Sequence, residues 1–137
     1  MRDYQPEINN PYYIQRDIYK SILYIIRSYY AQNEEYNNML EAKAYPHITP
    51  GYIGNNHNIN DPTGELAIKL EGKANIIKAI NSAKAEFEKS EKEKYYLKGV
   101  WNNIIYNKPY PKDAETHTYS NHKARFIYRV GKNLNLI

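Results

Sequence analysis

The sequence contains no cysteine, a single tryptophan and two phenylalanines in 137 residues. Without cysteine there is no disulfide, no thiolate zinc site and no cysteine nucleophile. With so little Phe and Trp, the core must be built from Tyr, Ile and Leu. Long apolar runs are missing too. The longest, residues 22–26, has five residues, whereas a membrane-crossing helix needs about 20. The opening Met1-Arg2-Asp3-Tyr4-Gln5-Pro6 has no apolar signal-peptide core. The expectation is a soluble cytoplasmic chain with no membrane partner.

Recognisable catalytic patterns are also lacking. His47, His57, His117 and His122 are the four imidazoles, and none pair at i,i+4. Helical metal sites need two ligands on one face, so no metal or other cofactor is expected. Glu34, Glu35 and Asp61 have no partner at the spacing of a carboxylate dyad. Gly64 and Gly72 do not form a phosphate-cradling G-x-x-x-x-G-K-[ST] loop. The serines fall on expected helices or their ends, outside any nucleophile elbow. The expectation is a protein without catalytic residues.

What the chain has in excess is Asn (17), Ile (17), Tyr (16) and Lys (14). All four have AT-rich codons, the imprint of a low-GC genome, so most tyrosines need no functional explanation. Apolar residues at spacings of three and four mark helices. Over residues 13–43, Ile14, Ile18, Ile22, Ile25, Tyr29, Tyr36 and Met39/Leu40 form the seam of one long helix. Asn10 is its expected cap, with Pro11 in the first turn. Gln32, Asn33, Glu34 and Glu35 interrupt the seam and mark the place for a bend. Residues 44–63 are punctuated by Pro, Gly, Asn and Asp at almost every step, which reads as loop or linker. A second helix is expected over 64–89, capped by Thr63. Ser90 and Glu93 give a capping-box pattern that starts a third over 91–107. Lys108-Pro109-Tyr110-Pro111 stops it, and a fourth runs over 116–134, with Asp113 or Thr116 as its start signal. No strand pattern appears. The expected fold is all-α, with four helices. Its units are 1–43, a linker at 44–63, and a helical domain at 64–137 with a helix-turn-helix at 91–134.

The net charge of +4 is unevenly spread. Residues 1–90 carry 10 basic and 11 acidic side chains; residues 91–137 carry 9 and 4. A basic segment beside a neutral one is the footprint of polyanion binding. On a helical wheel of 116–134, Tyr119, Phe126, Ile127, Val130 and Leu134 share one side. His117, Thr118, Asn121, Arg125, Tyr128 and Lys132 share the other, with Arg129 at its border. No acid occurs in 116–137. Arg and Asn are the residue types that read guanine and adenine edges in the major groove. In a helix-turn-helix the second helix enters that groove with its N-terminal half. Lys108, Lys112 and the start of the last helix then suit phosphates. The turn is longer than the usual one and contains no Gly. Trp101 is expected in the core, and Gly99 beside it permits close helix approach.

At these residues a family resemblance is visible. Tyr96-Leu97-Lys98-Gly99-Val100-Trp101-Asn102-Asn103-Ile104-Ile105-Tyr106-Asn107-Lys108-Pro109-Tyr110-Pro111 resembles the C-terminal signature of RinA-type phage transcriptional regulators. Asp61-Pro62-Thr63-Gly64 with Ala67 is similar to their central segment, and Arg125-Phe126-Ile127-Tyr128-Arg129-Val130-Gly131-Lys132-Asn133-Leu134 to their terminal block. Tyr119-Ser120-Asn121-His122-Lys123 departs from the family's Tyr-x-x-Trp-Lys in having His for Trp. The resemblance implies a phage or prophage regulator from low-GC Gram-positive bacteria. It would activate late packaging and structural genes through a helix-turn-helix similar to the promoter-reading end of sigma factors. Double-stranded DNA is the expected partner. RNA polymerase contact or homodimerisation is assigned to the first helices. Two other readings stand beside this one: a small terminase-like packaging subunit, and a helical interaction module that binds no DNA.

Overall fold

A computed structural model describes residues 8–44 and 62–137. Among these residues the fold is all-helical, with five helices. They are α1 (Arg16–Arg27), α2 (Tyr29–Ala44), α3 (Pro62–Glu88), α4 (Glu91–Tyr106) and α5 (Thr116–Asn133).

The fifth helix arises because the expected long helix is divided at Ser28, before the Gln32–Glu35 interruption. The Ser28 hydroxyl donates to the Ile25 carbonyl at 2.7 Å, and its backbone sits at φ −83°, ψ 3°. A serine bonding back onto its own helix bends it. Gln32 and Glu35 instead lie inside α2 and meet Lys73 of α3. Together with the Tyr29–Asn81 hydrogen bond, this makes α2 and α3 antiparallel neighbours.

The ends differ from expectation in ways local chemistry explains. Asn10 does not cap α1. Its side chain accepts from the Tyr12 amide in an Asx turn, and α1 starts only at Arg16. α3 starts at Pro62, which places Thr63 inside the first turn. Proline suits that first position because its missing N–H is one the helix cannot use. The 44–63 linker falls almost wholly on residues outside those described. Ser90 is the N-cap of α4 by its extended backbone, but it makes no side-chain capping bond. α4 ends at Asn107, in the left-handed region at φ 53°, with the Lys108 amide bonding back to the Asn102 carbonyl.

One core joins α1, α3, α4 and α5. Ile22, Ile26, Ile80, Val100, Ile104, Phe126, Ile127 and Val130 are completely buried in it. Trp101 is buried as expected, edge-on to Tyr29 and Phe126. α1 approaches α5 over the small residue Gly131, where a Cβ would sit 2.6 Å from the Ile22 side chain. No helix among the described residues is long and apolar enough to cross a membrane.

Candidate nucleic-acid interface

α4 and α5 are joined by a nine-residue turn, residues 107–115. Its length is offset by the number of groups that fix it. Asn103 Nδ2 donates to the Lys108 carbonyl at 2.8 Å. Tyr110 stacks on Tyr119, with centroids 5.2 Å apart and planes within 12°. The Tyr119 hydroxyl donates to one Asp113 carboxylate oxygen at 2.7 Å, and the Tyr95 hydroxyl donates to the other. These two phenols hold the Asp113 carboxyl below its ordinary pKa, Tyr95 having the larger effect. Tyr119 shifts upward, first because it is buried and then because Asp113 favours its protonated form. Gly99 supports the same corner. A Cβ there would lie 2.6 Å from the Tyr119 ring and 3.0 Å from Pro111.

α5 buries the wheel's apolar side and its small residues Ser120, Ala124 and Gly131. The opposite arc reaches solvent. His117, Asn121, Arg129 and Lys132 are exposed, and Thr118, Arg125 and Tyr128 are half-buried. Lys108 and Lys112 are exposed on the turn. The structure therefore brings His117, Thr118 and Asn121 together in the first turns of α5, beyond a braced turn that carries Lys108 and Lys112 with Asp113 and Glu115.

The arc is less cationic than the sequence of α5 implies. Acids arrive from neighbouring helices: Glu93 of α4 pairs with Arg125, and Glu86 of α3 pairs with Arg129. Arg125 also lies over the Phe87 ring at 5.6 Å. Tyr128 meets Tyr12 edge-on at 5.5 Å, and Lys132 lies 5.5 Å from the Tyr128 ring centre. A small open cavity of about 190 Å³ is lined by Tyr12, Glu86, Phe87, Arg125, Tyr128 and Arg129. Arg125 and Arg129 are thus paired with acids rather than free cations.

Sequence reasoning passed over three features here. Lys123 is only 3% exposed and donates to Asn103 Oδ1 at 2.8 Å. Its place on the wheel, between Tyr119 and Phe126 in sequence and on their side of the helix, is the signal that finds it. His122, standing where the family pattern has Trp, stacks on Tyr96 at 4.6 Å and meets Phe87 edge-on. The imidazole fills an aromatic's place in the packing, and its pKa is lowered by burial and then by Lys92. The third is the Asp113 hub: the sequence marks Asp113 only as one of two start signals for the last helix, beside Thr116, and α5 begins at Thr116 with Glu115 before it in extended conformation. Among the described residues no group of three His, Asp or Glu side chains could hold a metal ion.

Comparison of the chain with protein-family models, with curated proteins and with solved structures returns no match.

Proposed function

We propose that the protein is a sequence-specific DNA-binding transcriptional regulator whose α4–turn–α5 unit acts as a helix-turn-helix on duplex DNA. The observation that carries this reading is the exposed first turns of α5, which hold no acid after the N-cap Glu115. His117, Thr118 and Asn121 lie there behind a fixed turn that presents Lys108 and Lys112. Free amides and the helix dipole at the start of α5 favour a phosphate. Lysines on the turn anchor neighbouring phosphates and set the register, while Asn121 and His117 face base edges. Arg125, Tyr128, Arg129 and Lys132 continue the arc. A phosphate approaching Arg129 competes with Glu86 for its guanidinium. The resemblance to RinA-type regulators extends the proposal to activation of phage late genes. Much of α1 is consumed by the core, so polymerase contact or homodimerisation falls to α2 and the outer surface of α3.

Fluorescence anisotropy with duplex DNA carrying candidate operators tests the reading. Binding should weaken steeply with salt, because each neutralised phosphate releases counterions. Lys112→Ala should reduce the salt slope by about 1, and Asn121→Ala should cost about 1–3 kcal/mol of discrimination at one base pair. Absence of duplex binding at low salt overturns the proposal.

A further inference from the structure

Tyrosine ordinarily buries its ring and leaves its hydroxyl in water. Tyr95 and Tyr30, on and beside α4, do the reverse. Tyr95 is 59% exposed, yet its hydroxyl is engaged by Asp113. Tyr106 is 54% exposed, and its ring lies against that of Tyr30. Tyr30 is 50% exposed, and its oxygen accepts from Trp101 Nε1 at 3.2 Å. The polar tips of Tyr95 and Tyr30 are tied into the protein, and all three residues stay half exposed or more. Tyr30 and Tyr106 lie nearly parallel, 25° apart with centroids at 6.5 Å, and Lys108 Nζ is 5.5 Å from the Tyr106 ring centre. The rings are pre-set in orientation, although exposing apolar surface brings the fold no stability.

The positions form a pattern. Tyr95, Lys98, Asn102 and Tyr106 follow one another at spacings of three and four, so they share one stripe of α4. At 1.5 Å per residue that stripe is about 16 Å long. Beside it opens a recess of about 330 Å³, lined by Gly99, Pro109, Pro111 and Asp113 together with Lys98 and Lys108. Its size is at the lower end of small-ligand pockets. Between Glu93 and Asp113 the chain carries Lys94, Lys98, Lys108 and Lys112 and no acid. Glu91, one turn before Tyr95, and Asp113, already accepting two phenols, bound the stripe at one end.

We propose that this stripe is a stacking track for unpaired bases of single-stranded nucleic acid, separate from the α5 surface. Every base has a π-face, so fixed exposed rings interleaved with lysines bind single strands with little sequence preference. Lys98 and Lys108 neutralise phosphates, and Asn102 offers a donor and an acceptor to base edges. Holding Tyr95 and Tyr30 by their hydroxyls reduces the entropy lost on stacking. The stripe joins exposed rings to the cations Lys98 and Lys108, and a single-stranded nucleic acid supplies both the matching charge and the planar rings.

The test uses the full chain with fluorescein-labelled dT12 and a duplex of equal length, both read by anisotropy. Tyr106→Ala should weaken dT12 binding about 5- to 100-fold, the range for loss of one base–aromatic stack. Tyr106→Phe, which keeps the ring, should restore most of it. Lys98→Ala should lower the single-strand salt slope by about 0.7. Duplex binding should change less than twofold in both Tyr106 variants. Absence of dT12 binding overturns the proposal, as does equal loss in Tyr106→Ala and Tyr106→Phe. A parallel fall of single-strand and duplex binding in every variant makes the two surfaces one and overturns it too. Binding of dT12 without duplex binding supports the track while removing the duplex reading.

Discussion

Gly99→Ala and Gly72→Ala make the same chemical change on two helices and should have opposite effects. In each case alanine gains about 1 kcal/mol of helix propensity over glycine. At Gly72, on the surface of α3, a new Cβ meets nothing within 4 Å. That gain should therefore appear as added stability of about 0.5–1 kcal/mol. At Gly99 the Cβ would lie 2.6 Å from Tyr119 Cε1 and 3.0 Å from Pro111 Cδ. Carbon pairs prefer about 3.5–4.0 Å, so the ring must retreat by roughly 1 Å. It has nowhere simple to go. Tyr110 stacks on one side of it, Tyr96 meets it at 5.1 Å, and its hydroxyl is held by Asp113. Overpacking of a fixed site costs about 1–3 kcal/mol. After the propensity gain, a net loss of roughly 0–2 kcal/mol remains, against a gain at Gly72. Urea unfolding followed by the fluorescence of Trp101 reads both variants. The midpoint should fall for Gly99→Ala and rise for Gly72→Ala, with unchanged m-values. Because the displaced ring begins α5, Gly99→Ala should also weaken duplex binding. A Gly99→Ala protein as stable as Gly72→Ala would refute the claim that the α4–α5 corner is sterically fixed.

Glu86→Gln should free Arg129 at a cost of at most about 1 kcal/mol in stability, as the pair is half-exposed. It should tighten duplex binding and steepen its salt dependence by about one phosphate; weaker binding would mean that Glu86 positions the arginine instead. The His122 pKa is depressed from its ordinary 6.5 by burial and by Lys92. A depressed base is favoured neutral in the fold, so its stabilising effect is complete above 6.5 and is lost as pH falls below that value. The urea midpoint should drop on acidification from pH 6.5, and His122→Phe, which keeps a flat ring against Tyr96, should remove this component. Asp113→Ala should bring the Tyr119 phenol back toward its ordinary titration range in an alkaline absorbance titration, and should speed amide exchange over residues 107–115.

Periodicity carried most of the helical reading, since burial of one face is written directly as spacing. The wheel of α5 separated its buried and exposed sides almost residue by residue, down to Tyr119, Phe126, Ile127 and Val130 inside. Features that depend on one hydroxyl or amide were not legible in this way. α1 and α2 divide at Ser28, whose hydroxyl bonds to the Ile25 carbonyl, and nothing in the spacing of the Ile seam records it. Asn10 was read as a cap because Asn favours caps, and the same side chain made an Asx turn instead. Long-range pairing was the least visible. The acids at 86 and 93 look like solvated charges around a helix boundary; only packing of α3 and α4 against α5 brings them to Arg129 and Arg125.

That pairing changes where the basic segment exerts its field. Of the nine cationic side chains in residues 91–137, Lys123 is buried against Asn103 and the two arginines face acids. The six remaining lysines are exposed, and of these only Lys132 belongs to α5. The others lie on α4 and the turn. Attraction of a polyanion and recognition of its bases thus fall on different elements. Lysines of α4 and the turn set long-range attraction, which salt screens over about 10 Å at 0.1 M. Neutral donors and acceptors of α5, Thr118 and Asn121 foremost, carry no net charge and act only at contact. Substitutions in the first group should move the salt slope and leave discrimination among duplexes unchanged; substitutions in the second should do the opposite. A variant of Asn121 that altered the slope, or a variant of Lys98 or Lys112 that altered base preference, would show that attraction and reading are not divided between the two helices.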